Sequence, residues 1–84
     1  MTYDLLFSDL AMKQLLKLEK ETRERIIAPL ERIRIRAEVY VRKLVGDEGY
    51  RLRVGNYRII VDLDKEKFII LVLRMGHRRN VYEQ

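Results

Sequence analysis

The sequence predicts an α+β domain: an N-terminal strand, a two-helix hairpin, then an antiparallel three-strand meander packed on the helices. Three observations carry this. Apolar residues recur every three or four positions, first around Leu10 to Leu18 and again from Ile26 to Ala37. They alternate with polar residues on both sides of Gly55-Asn56, and a continuous apolar run, Phe68 to Leu73, follows. Helices repeat every 3.6 residues and strands every two, so the order of periods gives the order of elements. The 84 residues are expected to form one domain (1–84), a size at which roughly 60–65% of the unfolded chain's surface is buried.

Tyr3 to Phe7 is the first strand. Ser8 reads as an N-cap, with Phe7 and Met12 placed as a hydrophobic staple, so the first helix runs from Asp9 to about Leu18. Leu10, Ala11, Leu15 and Leu18 form its core stripe. Met12 and Leu16 widen that stripe, either as further core or as a flank for a partner. Thr22 opens the second helix, whose apolar positions Ile26, Leu30, Ile33 and Ala37 carry it to about Arg36. Pro29 inside it removes one backbone donor and predicts a kink. Residues 32–42 also alternate like a strand; an extended segment is expected from Ala37 to Val45. Arg32, Arg34 and Arg36 spread around the helix as a solvated surface. Gly46 to Gly49 is a turn, and Leu63 to Glu66 another. The six-residue run Phe68 to Leu73 is too continuous for a half-exposed strand and should be central, covered on both faces.

The hairpin is the most informative stretch. Gly55-Asn56 is a two-residue loop whose glycine supplies the positive φ of a primed turn. That register sets Val54 opposite Tyr57, Arg53 opposite Arg58 and Leu52 opposite Ile59. Leu52, Val54, Tyr57, Ile59 and Val61 then share one face, and Arg51, Arg53 and Arg58 the other. Two arginines directly opposite repel, which weakens a sheet by roughly 0.2–1 kcal/mol. Accepting that cost, with a third arginine alongside, points to a cationic platform for an anionic partner. The competing explanation is internal ion pairing, with Asp62, Glu66 or an acidic helix residue neutralising the cluster.

Composition narrows the chemistry. There is no cysteine and one histidine, His77, so disulfides and a protein-only zinc site are excluded and no cofactor is expected. No apolar run reaches membrane-span length and no signal-peptide pattern opens the chain, which suggests a cytoplasmic protein without a membrane partner. The net charge is +5, and most of the surplus lies after Gly49. A basic balance concentrated on one part of a small domain suits a phosphate-rich partner or an acidic protein. Gly76 should end or bend the last strand, letting His77, Arg78 and Arg79 project toward the Arg51/Arg53/Arg58 face. Guanidinium forks bind two phosphate oxygens at once and stabilise a pentacovalent transition state. They stay charged at neutral pH, so only His77 and Tyr82 remain for proton transfer. Taken alone, Tyr82 is more often a packing or fraying terminal aromatic and His77 a surface histidine.

Lys43-Leu44-Val45-Gly46, Tyr50 to Arg58, and Gly76-His77-Arg78-Arg79-Asn80-Val81-Tyr82 together resemble the RelE toxins of the RelE/ParE toxin–antitoxin superfamily. The resemblance extends across nearly the whole chain through its element order. It implies a microbial-ribonuclease-like fold, cleavage of messenger RNA in the ribosomal A site, and metal-free attack of a ribose 2′-hydroxyl on the neighbouring phosphate. It implies, too, that Arg51 and Arg53 are the basic pair of the hairpin's first strand and that Arg58 binds the phosphate. Arg78 follows the last strand, Tyr82 stacks on a base or helps proton transfer, and His77 takes a position that is basic or histidine in relatives. Arg79 and Lys43 are placed to contact RNA. The best-known relatives carry lysines at the positions of Arg51 and Arg53, which leaves the general base unassigned. The implied partner is a small acidic RelB-like antitoxin, giving a toxin–antitoxin hetero-oligomer; the basic charge and the Met12/Leu16 flank suit it. Two other readings stand beside this one: a gyrase inhibitor of the ParE kind, and a catalytically weak basic module that binds RNA or an acidic protein.

Overall fold

The computed structural model describes residues 2–35 and 49–77, and the backbone of 42–43. The elements are β1 (Asp4–Phe7), α1 (Asp9–Leu16), α2 (Lys20–Ile33), β2 (Arg42–Lys43), β3 (Tyr50–Val54), β4 (Tyr57–Asp64) and β5 (Ile69–His77). One sheet contains all five strands in the order β1-β5-β4-β3-β2. The meander is β3-β4-β5, as expected, with antiparallel pairs throughout. Two strands extend it. β1 adds parallel to β5, and the short β2 adds antiparallel to β3.

The hairpin has the predicted register, with Val54 opposite Tyr57, Arg53 opposite Arg58 and Leu52 opposite Ile59. Gly55 takes φ +58°, the left-handed value that a primed two-residue turn needs at its first central position. The next turn departs from expectation. β4 continues to Asp64, and residues 65–68 make the bend. Asp64 Oδ1 accepts from the N–H groups of Glu66 (3.1 Å) and Lys67 (2.9 Å). Phe68 then adopts φ +55°, a left-handed conformation that costs a bulky residue about 1–2 kcal/mol. Its ring meets Tyr3 edge-on at 5.5 Å, and its carbonyl accepts from Asp4 N–H at 2.7 Å.

Both helices lie on one face of the sheet. Ala11 and Leu15 of α1 and Ile26, Leu30 and Ile33 of α2 meet Leu52, Ile59, Val61, Ile70, Val72 and Met75 in one buried core. α2 begins at Lys20 and ends at Ile33, shorter at its C-terminal end than its apolar period suggests. Arg34 explains the stop. Its carbonyl accepts from Tyr3 N–H (2.7 Å), while its Nε donates to the Tyr3 carbonyl (2.8 Å) and Nη1 pairs with Glu31. This arginine is thus a tie between helix and strand, not the solvated residue the pattern implied. Pro29 lies inside α2. α1 ends at Leu16, and Leu10, counted into the core stripe, is 48% exposed.

Ser8 and Gln14 fasten α1 to β5. Ser8 Oγ accepts from Ala11 N–H (3.0 Å) as the N-cap and donates to the Leu73 carbonyl (2.6 Å). Gln14 Oε1 accepts from Met75 N–H (2.7 Å). β1 stops at Phe7, opposite Val72, so these groups on β5 lie beyond the last strand partner on that side. Backbone donors and acceptors left unpaired in a partly buried place are expensive, and α1 supplies the missing partners. No helix of the described residues is long and apolar enough to cross a membrane.

Two expectations for the last strand divide. β5 is central, between β1 and β4. The double covering is not found: Ile70 and Val72 are fully buried, whereas Ile69, Leu71 and Leu73 alternate with them as half-buried residues. The helices cover one face only. Ser8→Ala should lower the unfolding free energy by about 1–3 kcal/mol through loss of the cap and of the Leu73 bond, measured by urea denaturation.

Candidate anion-binding face

The face turned away from the helices collects the basic residues of the hairpin. Period-2 alternation sends Leu52 and Ile59 inward, so Arg51, Arg53 and Arg58 lie outward on neighbouring strands. Arg53 is exposed, and Arg51 and Arg58 are half-buried. Arg53 stands directly opposite Arg58, the like-charge pair the sequence predicts.

Among the described residues, internal neutralisation does not account for Arg53 or Arg58. No described carboxylate lies within ion-pair distance of either, because the described acidic groups are elsewhere. Glu21 pairs with Arg25 and Glu31 with Arg34, all at or beside α2. Asp62 and Asp64 sit further along the outer face of β4, with Asp64 opposite Ile69 at the far end of the strand. The outer face is therefore polarised, cationic beside the Gly55-Asn56 turn and acidic toward the other end.

β5 adds a residue that sequence reasoning missed. Gly76 lies opposite Arg58, Met75 opposite Ile59, and Arg74 opposite Ile60; then Val72 lies opposite Val61. Leu73 is thus an extra residue in a β-bulge, and the inward-outward alternation shifts by one across it. Counted from Ile70 and Val72, Arg74 belongs on the core face. After the bulge it stands on the outer face, diagonal to Arg58 across the strand pair. Ile60 is buried on this face with Leu73 beside it. The one available signal was a charge at a core position of a period-2 count, which itself marks a bulge.

Arg58 and Arg74 share a second property. The Nε of each is buried with no hydrogen-bond partner among the described residues. A buried donor left unsatisfied costs about 1–3 kcal/mol, and more when charged. Such groups are exceptional in folded proteins, and each calls for a physical explanation.

The remaining predicted residues are distributed as follows. His77 lies opposite Tyr57, their rings edge-on at 6.0 Å. This corrects the expectation that His77 joins the arginine face: one step past Gly76, alternation turns it to the Tyr57 side. Arg78, Arg79 and Tyr82, and the side chain of Lys43, lie outside the described residues. A separate cleft of about 280 Å³ opens between the start of α2 and the hairpin turn, lined by Thr22, Arg25, Ile26 and Tyr57 among others; none of the outer-face arginines borders it. On α1, Leu10, Met12 and Leu16 are exposed, Leu16 to 61%. The Met12/Leu16 flank is therefore surface and not core.

Comparison with known proteins follows the same outline. The family described as the ParE toxin of the type II toxin–antitoxin system, parDE, matches residues 5–82. A free E. coli RelE toxin carrying two arginine-to-alanine changes is 28% identical, with a TM-score of 0.79, covering 98% of this chain and 90% of its own. The toxin of the intact E. coli RelBE complex is 30% identical, with a TM-score of 0.72, covering 89% of this chain and 95% of its own. The RelBE2 complex of Mycobacterium tuberculosis shares the fold, at 21% identity and a TM-score of 0.84, covering 93% of this chain and 100% of its own. No curated protein sequence matches. Because Arg53 and Arg58 repel, Arg53→Glu should raise stability by roughly 0.2–1 kcal/mol; thermal melting should show a gain that shrinks as salt is added.

Proposed function

This chain belongs to the RelE/ParE family of type II toxin–antitoxin toxins, and from that premise we propose that it is a ribosome-dependent endoribonuclease cutting messenger RNA in the A site. The observation that carries the reading is the outer face, where Arg53 and Arg58 stand opposite each other with no described carboxylate in reach. A polymer with one charge per nucleotide matches such an open cationic strand pair.

The chemistry follows from the charge. A ribose 2′-hydroxyl loses its proton and attacks the adjacent phosphorus. The bond to the 5′-oxygen breaks, that oxygen takes up a proton, and a 2′,3′-cyclic phosphate remains. The pentacovalent transition state carries extra negative charge on its equatorial oxygens. Arg58 grips those oxygens, Arg51 and Arg53 strengthen the field around them, and Arg78 closes the grip from the end of β5. Arg79 and Lys43 hold the flanking RNA. Tyr82 stacks on a base or passes a proton. No metal or cofactor enters this scheme.

The partner in this reading is an acidic RelB-like antitoxin. Exposed Leu10, Met12 and Leu16 on α1 offer apolar burial, and the basic charge attracts an acidic segment. Toxin and antitoxin would form a hetero-oligomer in the cytoplasm, where ribosomes are. A ParE-like gyrase inhibitor is the second reading, favoured by the family description that matches 5–82.

Expression should arrest growth, and primer extension on ribosome-bound messenger RNA should show A-site cuts. Arg58→Ala, Arg78→Ala and Tyr82→Phe should each relieve the arrest, with cleavage reduced on the order of 10²-fold or more where a transition-state contact is lost. Full toxicity in all three variants sinks the nuclease; DNA damage without cuts selects the gyrase reading, and salt-sensitive RNA binding without cuts the weak binding module. Leu16→Glu should weaken antitoxin affinity about tenfold, measured by titration calorimetry.

A further inference from the structure

From the β-bulge and the two unpartnered Nε donors we infer that Arg74 and Arg58 together form a phosphate-binding site on the outer face of β4 and β5, with Arg74 as a second RNA-contacting residue. The inference deepens the nuclease reading and rests on it for the identity of the ligand.

Four observations converge. Both Nε donors are buried and unpartnered, although they belong to different strands. Arg58 faces Gly76 across the pair and Arg74 lies two residues before Gly76, a diagonal of roughly 7–8 Å between backbones, within reach of two long side chains directed at one anion. Gly76 presents no side chain between the two arginines. The bulge at Leu73 turns Arg74 outward, and its backbone neighbours are bonded to Ser8 and Gln14. That holds the Arg74 backbone in place and lowers the ordering needed on binding.

The chemistry selects a tetrahedral oxyanion. Each guanidinium fork binds a pair of phosphate oxygens, and the two forks come from different strands, so they meet oxygens directed differently, as in a tetrahedral anion. Arg53 faces Arg58 from the other side, so the anion would meet a row of cations across three strands. A phosphodiester of single-stranded RNA fits this row lengthwise; inorganic phosphate shares the chemistry but reaches only the Arg58–Arg74 pair.

The test is fluorescence anisotropy of the full chain with a 2′-O-methyl oligoribonucleotide, which no 2′-hydroxyl attack can cut, over a salt series. Arg74→Gln should lower affinity on the order of tenfold and reduce the log–log salt slope by about 0.7, the value of one phosphate contact on a single strand. Arg74→Lys should keep the slope but not the full affinity, since charge remains and the fork is lost. Lys67→Gln, in the β4–β5 turn, removes an equal charge and should change neither. Equal behaviour of Arg74→Gln and Lys67→Gln overturns the inference. A second arm needs no variant: adding inorganic phosphate to the unmodified chain should move the Nε–H resonances of Arg58 and Arg74 together, and an unmoved Arg74 signal overturns it. Inorganic phosphate that displaces the oligonucleotide places both sources on one site and supports it. Because binding is scored without cleavage, a chain that binds through Arg74 but cuts no messenger RNA sinks the nuclease reading alone. Messenger RNA cleavage that Arg74→Gln leaves unchanged sinks this inference alone.

Discussion

Two hydrogen bonds from α1 hold the segment of β5 on which much of the outer face depends. Ser8 Oγ to the Leu73 carbonyl and Met75 N–H to Gln14 Oε1 occupy backbone groups that no strand reaches, because β1 stops at Phe7, opposite Val72. Without them β5 would carry unpaired polar groups against a helix, at a cost of about 1–3 kcal/mol for each. With them, the strand tolerates an extra residue and still docks α1 through Ala11 and Leu15. The bulge changes which side chains face outward, and so it decides the composition of the cationic face.

That face illustrates how a small sheet separates stability from binding. One side meets both helices and holds nearly all the buried apolar residues. The other carries charge, and its charges are sorted along β4, from Arg58 near the turn to Asp62 and Asp64. Mutual repulsion between Arg53 and Arg58 and unsatisfied Nε donors on Arg58 and Arg74 are costs to the folded chain alone. The packed helical side offsets them, since each fully buried Ile, Leu or Val contributes about 1.5–3 kcal/mol. An anion that lies across the arginines reverses both penalties.

α1 has a second role in the layout. Its inward side holds the core and β5, while Leu10, Met12 and Leu16 stay at the surface. A protein partner on α1 and a nucleic acid on the outer sheet face would thus lie on opposite sides of the same strand. The exposed apolar residues and the arginine row are chemically distinct, so the two surfaces attract different classes of molecule.

Much of this was legible in the residues. Gly55-Asn56 and the flanking alternation determined the hairpin register, because a two-residue turn and a period of two leave no freedom to slide. Once the register was set, the grouping of Arg51, Arg53 and Arg58 followed. The helices were legible too, though α2 ends where Arg34 bonds to Tyr3, a contact 31 positions distant. Tertiary structure alone decided the place of β1, the facing of His77 and the facing of Arg74. β1 joins β5 across 65 residues, and nothing local encodes such a pairing. Leu73 bulges where Ser8 and Gln14 supply partners from far away in sequence. A bulge shifts alternation by one, so a pattern read along the chain assigns Arg74 to the wrong face.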